Sequence, residues 1–180
     1  MKNQTRDGKN SDRMLTGMFA DRESAENAFN SLHDRGYSND DINLIMSDET
    51  RKKHFEGELQ ETEIGTKAAE GAGKGSAIGG TVGAIAGVIA ALGTSLAIPG
   101  LGIVIAGPIA AGLAGAGAGG LTGGIIGALV GYGIPEARAK IYESGVKKGN
   151  IVLGVRPRNE EDAEYFENKW REHKGEEIYR

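Results

Sequence analysis

The sequence contains no cysteine. A disulfide framework, a thiolate metal site and a thiol nucleophile are therefore excluded, and a reducing compartment fits. There is no basic surplus either: the net charge is −4, which gives no reason to expect a nucleic-acid partner. The first residues, "MKNQTRDGKNSDRM", lack the apolar core of a secretory signal, and residues 1–13 are expected to be a disordered tail. The most conspicuous absence is internal. Between Gly75 and Pro135 the chain has no charged residue.

What fills that interval is glycine. Of 30 glycines in the chain, most fall in this one region, so the excess is architectural and not a general compositional bias. Gly71, Gly75, Gly79, Gly83 and Gly87 stand in steps of four, and Gly115, Gly119, Gly123, Gly127 and Gly131 repeat the pattern. Each glycine costs a water-exposed helix about 1 kcal/mol relative to alanine. Ten of them are tolerable where close packing compensates, because a step of four lines small residues along one ridge and lets a second backbone approach. The pattern predicts helix A at roughly 66–94, an apolar connector at roughly 95–106 and helix B at roughly 107–132. Pro108 suits a first helical turn. The two ridges would zip an antiparallel hairpin together, so these ten glycines are the candidate helix-packing and self-association residues.

The ends of the chain are different in kind. "RMLTGMFA" alternates as a strand. In the helix that follows, Ala25, Ala28, Phe29 and Leu32 form one apolar face behind an Asp21 cap, and Gly36 stops it. "DDINLIMS" reads as a second strand. The C-terminal end repeats the order: strand "NIVLGVRPR", a helix capped by Asn159 with Ala163, Phe166 and Trp170 as its stripe, a stop at Gly175, and a closing strand "EEIYR". Gly17 matches Gly154, Ala25–Glu26 matches Ala163–Glu164, and Gly36 matches Gly175.

Two βαβ units predict an α+β fold: a ferredoxin-like βαβ-βαβ domain split between 14–47 and 150–180 and interrupted by the long Gly/Ala-rich helical hairpin. Residues 48–65 are a charged linker, 66–132 the glycine-zipper hairpin. Residues 135–148 are an amphipathic helix with Ala137, Ile141, Tyr142 and Gly145 on one face. A domain of about 65 residues is too small to hide two long apolar helices, which leaves lipid or other subunits to cover them. Basic flanks, Lys67 and Lys74 before helix A and Arg138 and Lys140 after helix B, favour a bilayer hairpin with both termini in the cytoplasm. The distal connector lacks Trp, Tyr and charge, which favours the alternative, a cytoplasmic homo-oligomer with hairpins packed in a common core.

Chemistry is thin. His33, His54 and His173 fall in separate elements amid charges. "GAGKGS" at 71–76 fails the phosphate-loop spacing, because Lys74 is followed by glycine and no strand precedes it. "GAGAGG" at 115–120 lacks the strand-turn-helix setting of a dinucleotide site. Glu160, Glu161 and Asp162 crowd one helix N-terminus as capping charges, and Trp170 is spaced as core. No catalytic residue, metal set or cofactor site is expected, and an enzyme is the least favoured reading. A small-ligand regulatory domain using the sheet face ranks below the two association readings.

The unit around "MFADRESAENAFNSLHDRGY", the glycine-zipper centre and the ending "YESGVKKGNIVLGVRPRNEEDAEYFENKWREHKG" resemble bacterial general-stress and low-temperature-induced proteins. The resemblance spans most of 14–180. It implies a stress-response context and supplies no site residues.

Overall fold

The computed structural model of the chain describes residues 13–55, 85, 96–98, 102–115 and 124–180. Their elements run β1 (Leu15–Phe19), α1 (Arg22–Asp34), β2 (Ile42–Ser47), β3 (Leu96–Ile98), β4 (Ile103–Ala106), α2 (Pro108–Gly115), α3 (Gly124–Gly131), α4 (Glu136–Lys147), β5 (Ile151–Val155), α5 (Glu160–Glu172) and β6 (Glu176–Tyr179). Residues 48–55 are also helical. The chain is an α+β protein.

Local chemistry sets the end elements. The Asp21 carboxylate accepts the Ser24 N–H at 2.8 Å and opens α1. That backbone bond, against a smaller opposing effect of burial, holds its carboxyl below the ordinary 3.8. Its contribution to stability is therefore complete above that value and is lost as pH falls through the lower folded one. Asn159 caps α5 in the same way, its Oδ1 accepting the Asp162 N–H at 2.7 Å. Ala25, Ala28, Phe29 and Leu32 are buried on α1, and Ala163, Phe166 and Trp170 on α5. Gly36, at φ +72°, turns the chain after α1. After α5 the left-handed residue is Lys174, not Gly175. Gly175 is required for a different reason: a Cβ there would stand 2.7 Å from the Trp170 carbonyl oxygen.

Six strands form one sheet in the order β3-β4-β2-β5-β1-β6, with every neighbouring pair antiparallel. β1 lies beside β5 from Leu15↔Val155 to Phe19↔Ile151, although well over a hundred residues separate them in sequence. Helices cover both faces. Leu15, Phe19 and Leu153 pack with α1 and α5 in one core. Met18, Ile45, Ile105 and Val152 pack with α2, α3 and α4 in the other. This is why all of β1 is buried. Its side chains do alternate, but neither face meets water.

The middle of the chain departs from the expectation. The stretch assigned to an apolar connector contains β3 and β4, a pair of strands that extends the sheet at β2, with Leu44↔Ala106 through Ser47↔Ile103 in register. Helix B is not continuous over 107–132. Gly124 takes a left-handed φ of +56°, so α3 starts afresh there and does not continue α2. Both helices lie on the sheet, burying Ile109, Leu113, Ile125 and Leu129 beside Ile45, Ile103 and Ile105. Ile85, from the region assigned to helix A, is buried in the opposite core with Phe55 and Val104. A four-stranded domain with one covered face is too small to bury these side chains. A six-stranded sheet with two faces covers these apolar side chains itself.

Two smaller readings also change. α4 turns Ala139, Tyr142, Gly145 and Val146 inward, while Ala137 and Ile141 face out. Gly17 and Gly154 lie on opposite faces, the first under Trp170 and the second against Met14. The repeat is thus one of element order and not of those two positions.

Asn43 ties the added layer to the sheet. Buried on β2, it accepts the Ile109 N–H at 2.7 Å, near the start of α2, and donates to the Gly154 carbonyl at 3.4 Å. Asn43→Leu leaves the buried Ile109 N–H without its acceptor and should cost about 1–3 kcal/mol. Urea unfolding followed by circular dichroism measures it; an unchanged midpoint would show that α2 does not depend on this cap.

Candidate functional site

The candidate site is the glycine-bearing helical layer. α2 leaves the sheet at Gly107, whose φ of +93° and contact with the β2 backbone admit no side chain. Pro108 follows as the first helical residue. One turn on, Gly112 receives Tyr132: a Cβ at Gly112 would lie 2.5 Å from the Tyr132 hydroxyl, which donates to the Pro108 carbonyl at 2.5 Å. The Arg156 guanidinium stands 5.6 Å from the centre of the same ring. Just past the end of α3 the chain turns at Gly133, with φ +91°, and the Ile134 N–H returns to the Leu129 carbonyl at 3.0 Å. On the next helix, a Cβ at Gly145 would overlap the Met18 sulfur, so this glycine lets α4 settle on β1.

Of the ten ridge glycines, Gly115 ends α2 and Gly127 and Gly131 lie on α3. Gly71, Gly75, Gly79, Gly83, Gly87, Gly119 and Gly123 lie outside the described residues. Gly127 and Gly131 point away from the sheet, and among the described residues a Cβ at either would meet nothing within 4 Å. Val130 between them is 44% exposed. The close approaches in the described part of the layer are instead at Gly107, Gly112 and Gly145. The step-of-four rule missed these, because each is fixed by a tertiary neighbour and not by spacing along one helix.

The buried polar groups among the described residues are occupied structurally. Tyr37 is the hub of one buried network: its hydroxyl donates to Asp162 at 2.8 Å and accepts the Arg158 N–H at 2.6 Å. Arg35 reaches Glu161 at 3.0 Å and Asp162 at 3.4 Å. Asp162 therefore does more than charge a helix end, since it fastens the turn after α1 to α5. On the opposite face, Tyr142 donates to the Glu177 carbonyl at 2.6 Å and shares a 2.8 Å bond with Thr16. The histidines lie apart, as their spacing suggested: His33 packs on Phe29, His54 beside Phe55, and His173 caps α5. Among the described residues no three His, Asp or Glu side chains converge as a metal set, and no buried side-chain nitrogen or oxygen lacks a partner.

Burial is the main cause that pushes both tyrosines up to about 12 from an ordinary 10. Asp162 adds to it at Tyr37, while the Arg158 bond opposes it; at Tyr142 the Thr16 bond opposes it. The unfolded chain ionises these groups near 10 and the folded chain does not. Their protonated contribution is thus whole below pH 10 and is lost as pH rises towards 12. Ultraviolet titration of the folded chain should show a phenolate component, from Tyr37 and Tyr142, that forms only well above pH 10. A folded chain whose titration shows no such late component would contradict the burial of Tyr37 and Tyr142.

Among the described residues, no helix is long and apolar enough to cross a membrane. No family model, curated protein or solved structure compared with the chain matches it.

Proposed function

We propose that this chain is a non-enzymatic bacterial stress-response protein that self-associates through its glycine-rich layer. The stress context rests on the sequence resemblance alone. The self-association reading rests on one observation above all: α3 presents Gly127, Val130 and Gly131 on a small, uncharged strip that no other described residue covers. Such a strip suits close approach of a second backbone. We also read the two end units as a ferredoxin-like domain. The order β2-β5-β1-β6 and the shared core of α1 and α5 support that reading.

Self-association between copies is preferred to a membrane-inserted hairpin for an energetic reason. Insertion would strip β4 from the edge of β2 and uncover Ile45, which α2 and α3 now bury. Bilayer contact is the second reading, favoured by the charge-free interval from Gly75 to Pro135. Cell fractionation separates the two. A carbonate wash should release the protein as an assembly; retention until detergent is added would favour the bilayer and overturn the preferred reading.

A further inference from the structure

A second feature lies at the far end of the sheet from the Tyr37 network, where α4 runs out and β2 passes into the helical residues 48–55. A cavity of about 270 Å³ there is walled by Lys53, His54, Lys147 and Lys148, with Thr50 and Gly149 beside them. A wider, more open groove of about 770 Å³ adjoins it, sharing Ser47, Glu49, Lys53 and Lys147 and adding Asp48 and Lys52 over Gly102 and Ile103. Tertiary structure makes this cluster, since Lys53 and Lys147 are far apart in sequence. Thr50 holds the two segments in place, donating to the Gly149 carbonyl at 3.1 Å.

The charges around these cavities are unevenly spent. Asp48 is taken by Lys52 at 2.7 Å and Arg51 at 2.8 Å, which hold its carboxyl below the usual range. Lys147 is matched by Glu143 at 3.1 Å. Among the described residues Lys53 and Lys148 have no ion-pair partner, and Glu49 is the one wall carboxylate also without one. Cations therefore outnumber anions around a concave surface in a chain whose net charge is −4. Lysine is a point-charge binder of phosphate. A dianion gains about twice the Coulomb attraction of a carboxylate at the same distance.

We propose that this paired cavity binds a small phosphorylated ligand, with its phosphate against Lys53, Lys147 and Lys148 and its organic part in the groove over Gly102 and Ile103. The site is independent of the α3 strip, so self-association and ligand binding can fail separately.

Calorimetric titration of the full chain with inorganic pyrophosphate tests the proposal. One saturable site is expected. Lys53→Gln combined with Lys148→Gln should weaken it by about tenfold or more, with an unchanged unfolding midpoint. Lys140→Gln combined with Lys169→Gln removes equal charge from surface pairs on α4 and α5, and should leave the affinity within about twofold. Absence of saturable heat, or equal weakening in both double variants, would overturn the site. So would binding confined to phosphatidylglycerol vesicles and absent for pyrophosphate.

Discussion

Trp170→Ala should lower the unfolding free energy by about 3–5 kcal/mol, the range for deleting a fully buried aromatic side chain. Trp170 is completely buried at the junction of α1, α5 and β1. Its ring meets Phe19 edge-on at a centroid separation of 5.8 Å. Its Nε1–H donates to the Ala28 carbonyl at 3.2 Å, joining α5 to α1. The indole also occupies the space above Gly17, where a Cβ would stand 2.8 Å from Cε3. Truncation therefore opens a cavity against a backbone that has no side chain to refill it. Trp170→Phe keeps an aromatic ring and loses the Ala28 bond, so it should cost less. Urea unfolding monitored by far-ultraviolet circular dichroism measures both. A loss below about 1 kcal/mol for the alanine variant would mean that this core does not pack as described.

Gly107→Ala should be comparably damaging, at about 3–5 kcal/mol, because strain and steric overlap combine there. The residue sits at φ +93°, and a Cβ would overlap the Ile42 carbonyl oxygen and stand 3.0 Å from the Asn43 Cα. Both neighbours are backbone of β2 and cannot turn aside. Gly36→Ala is the control. At φ +72° with nothing within 4 Å, it carries strain alone and should cost about 1 kcal/mol. The difference between the two isolates the overlap. Hydrogen exchange should also quicken along the β2–β4 pairing in Gly107→Ala. Equal losses in the two variants would show that β4 and α2 are not seated against β2.

The legible parts of the sequence were those with a period and a cap. α1 and α5 announce themselves through apolar stripes three and four residues apart, preceded by Asp21 and Asn159. β3 and β4 carry no such signal. "TSLAIPGLGIVIAG" is uncharged throughout and almost wholly apolar, and β4 is buried in both cores, so no alternation survives to mark it as a strand. Only the unpaired edge of β2, a tertiary fact, selects the strand conformation. The same limit applies to the glycines. Spacing treats Gly112 as incidental and Gly127 as a ridge position, yet Gly112 is packed under Tyr132 while no described residue packs on Gly127. A glycine ladder signals that close approach is possible. It does not say which glycines the fold has already used.

Gly127 therefore gives the most direct test of the central claim. Among the described residues Gly127→Leu meets no neighbour, so the helix should tolerate or even favour the larger side chain. At an interface between copies the same side chain would hold the backbones apart. Detergent-free light scattering of the full chain should give a mass that is a multiple of 18.8 kDa for the parent and one shifted towards 18.8 kDa for Gly127→Leu, with both equally folded. A parent that remains a monodisperse 18.8 kDa species at every concentration tested would contradict the account.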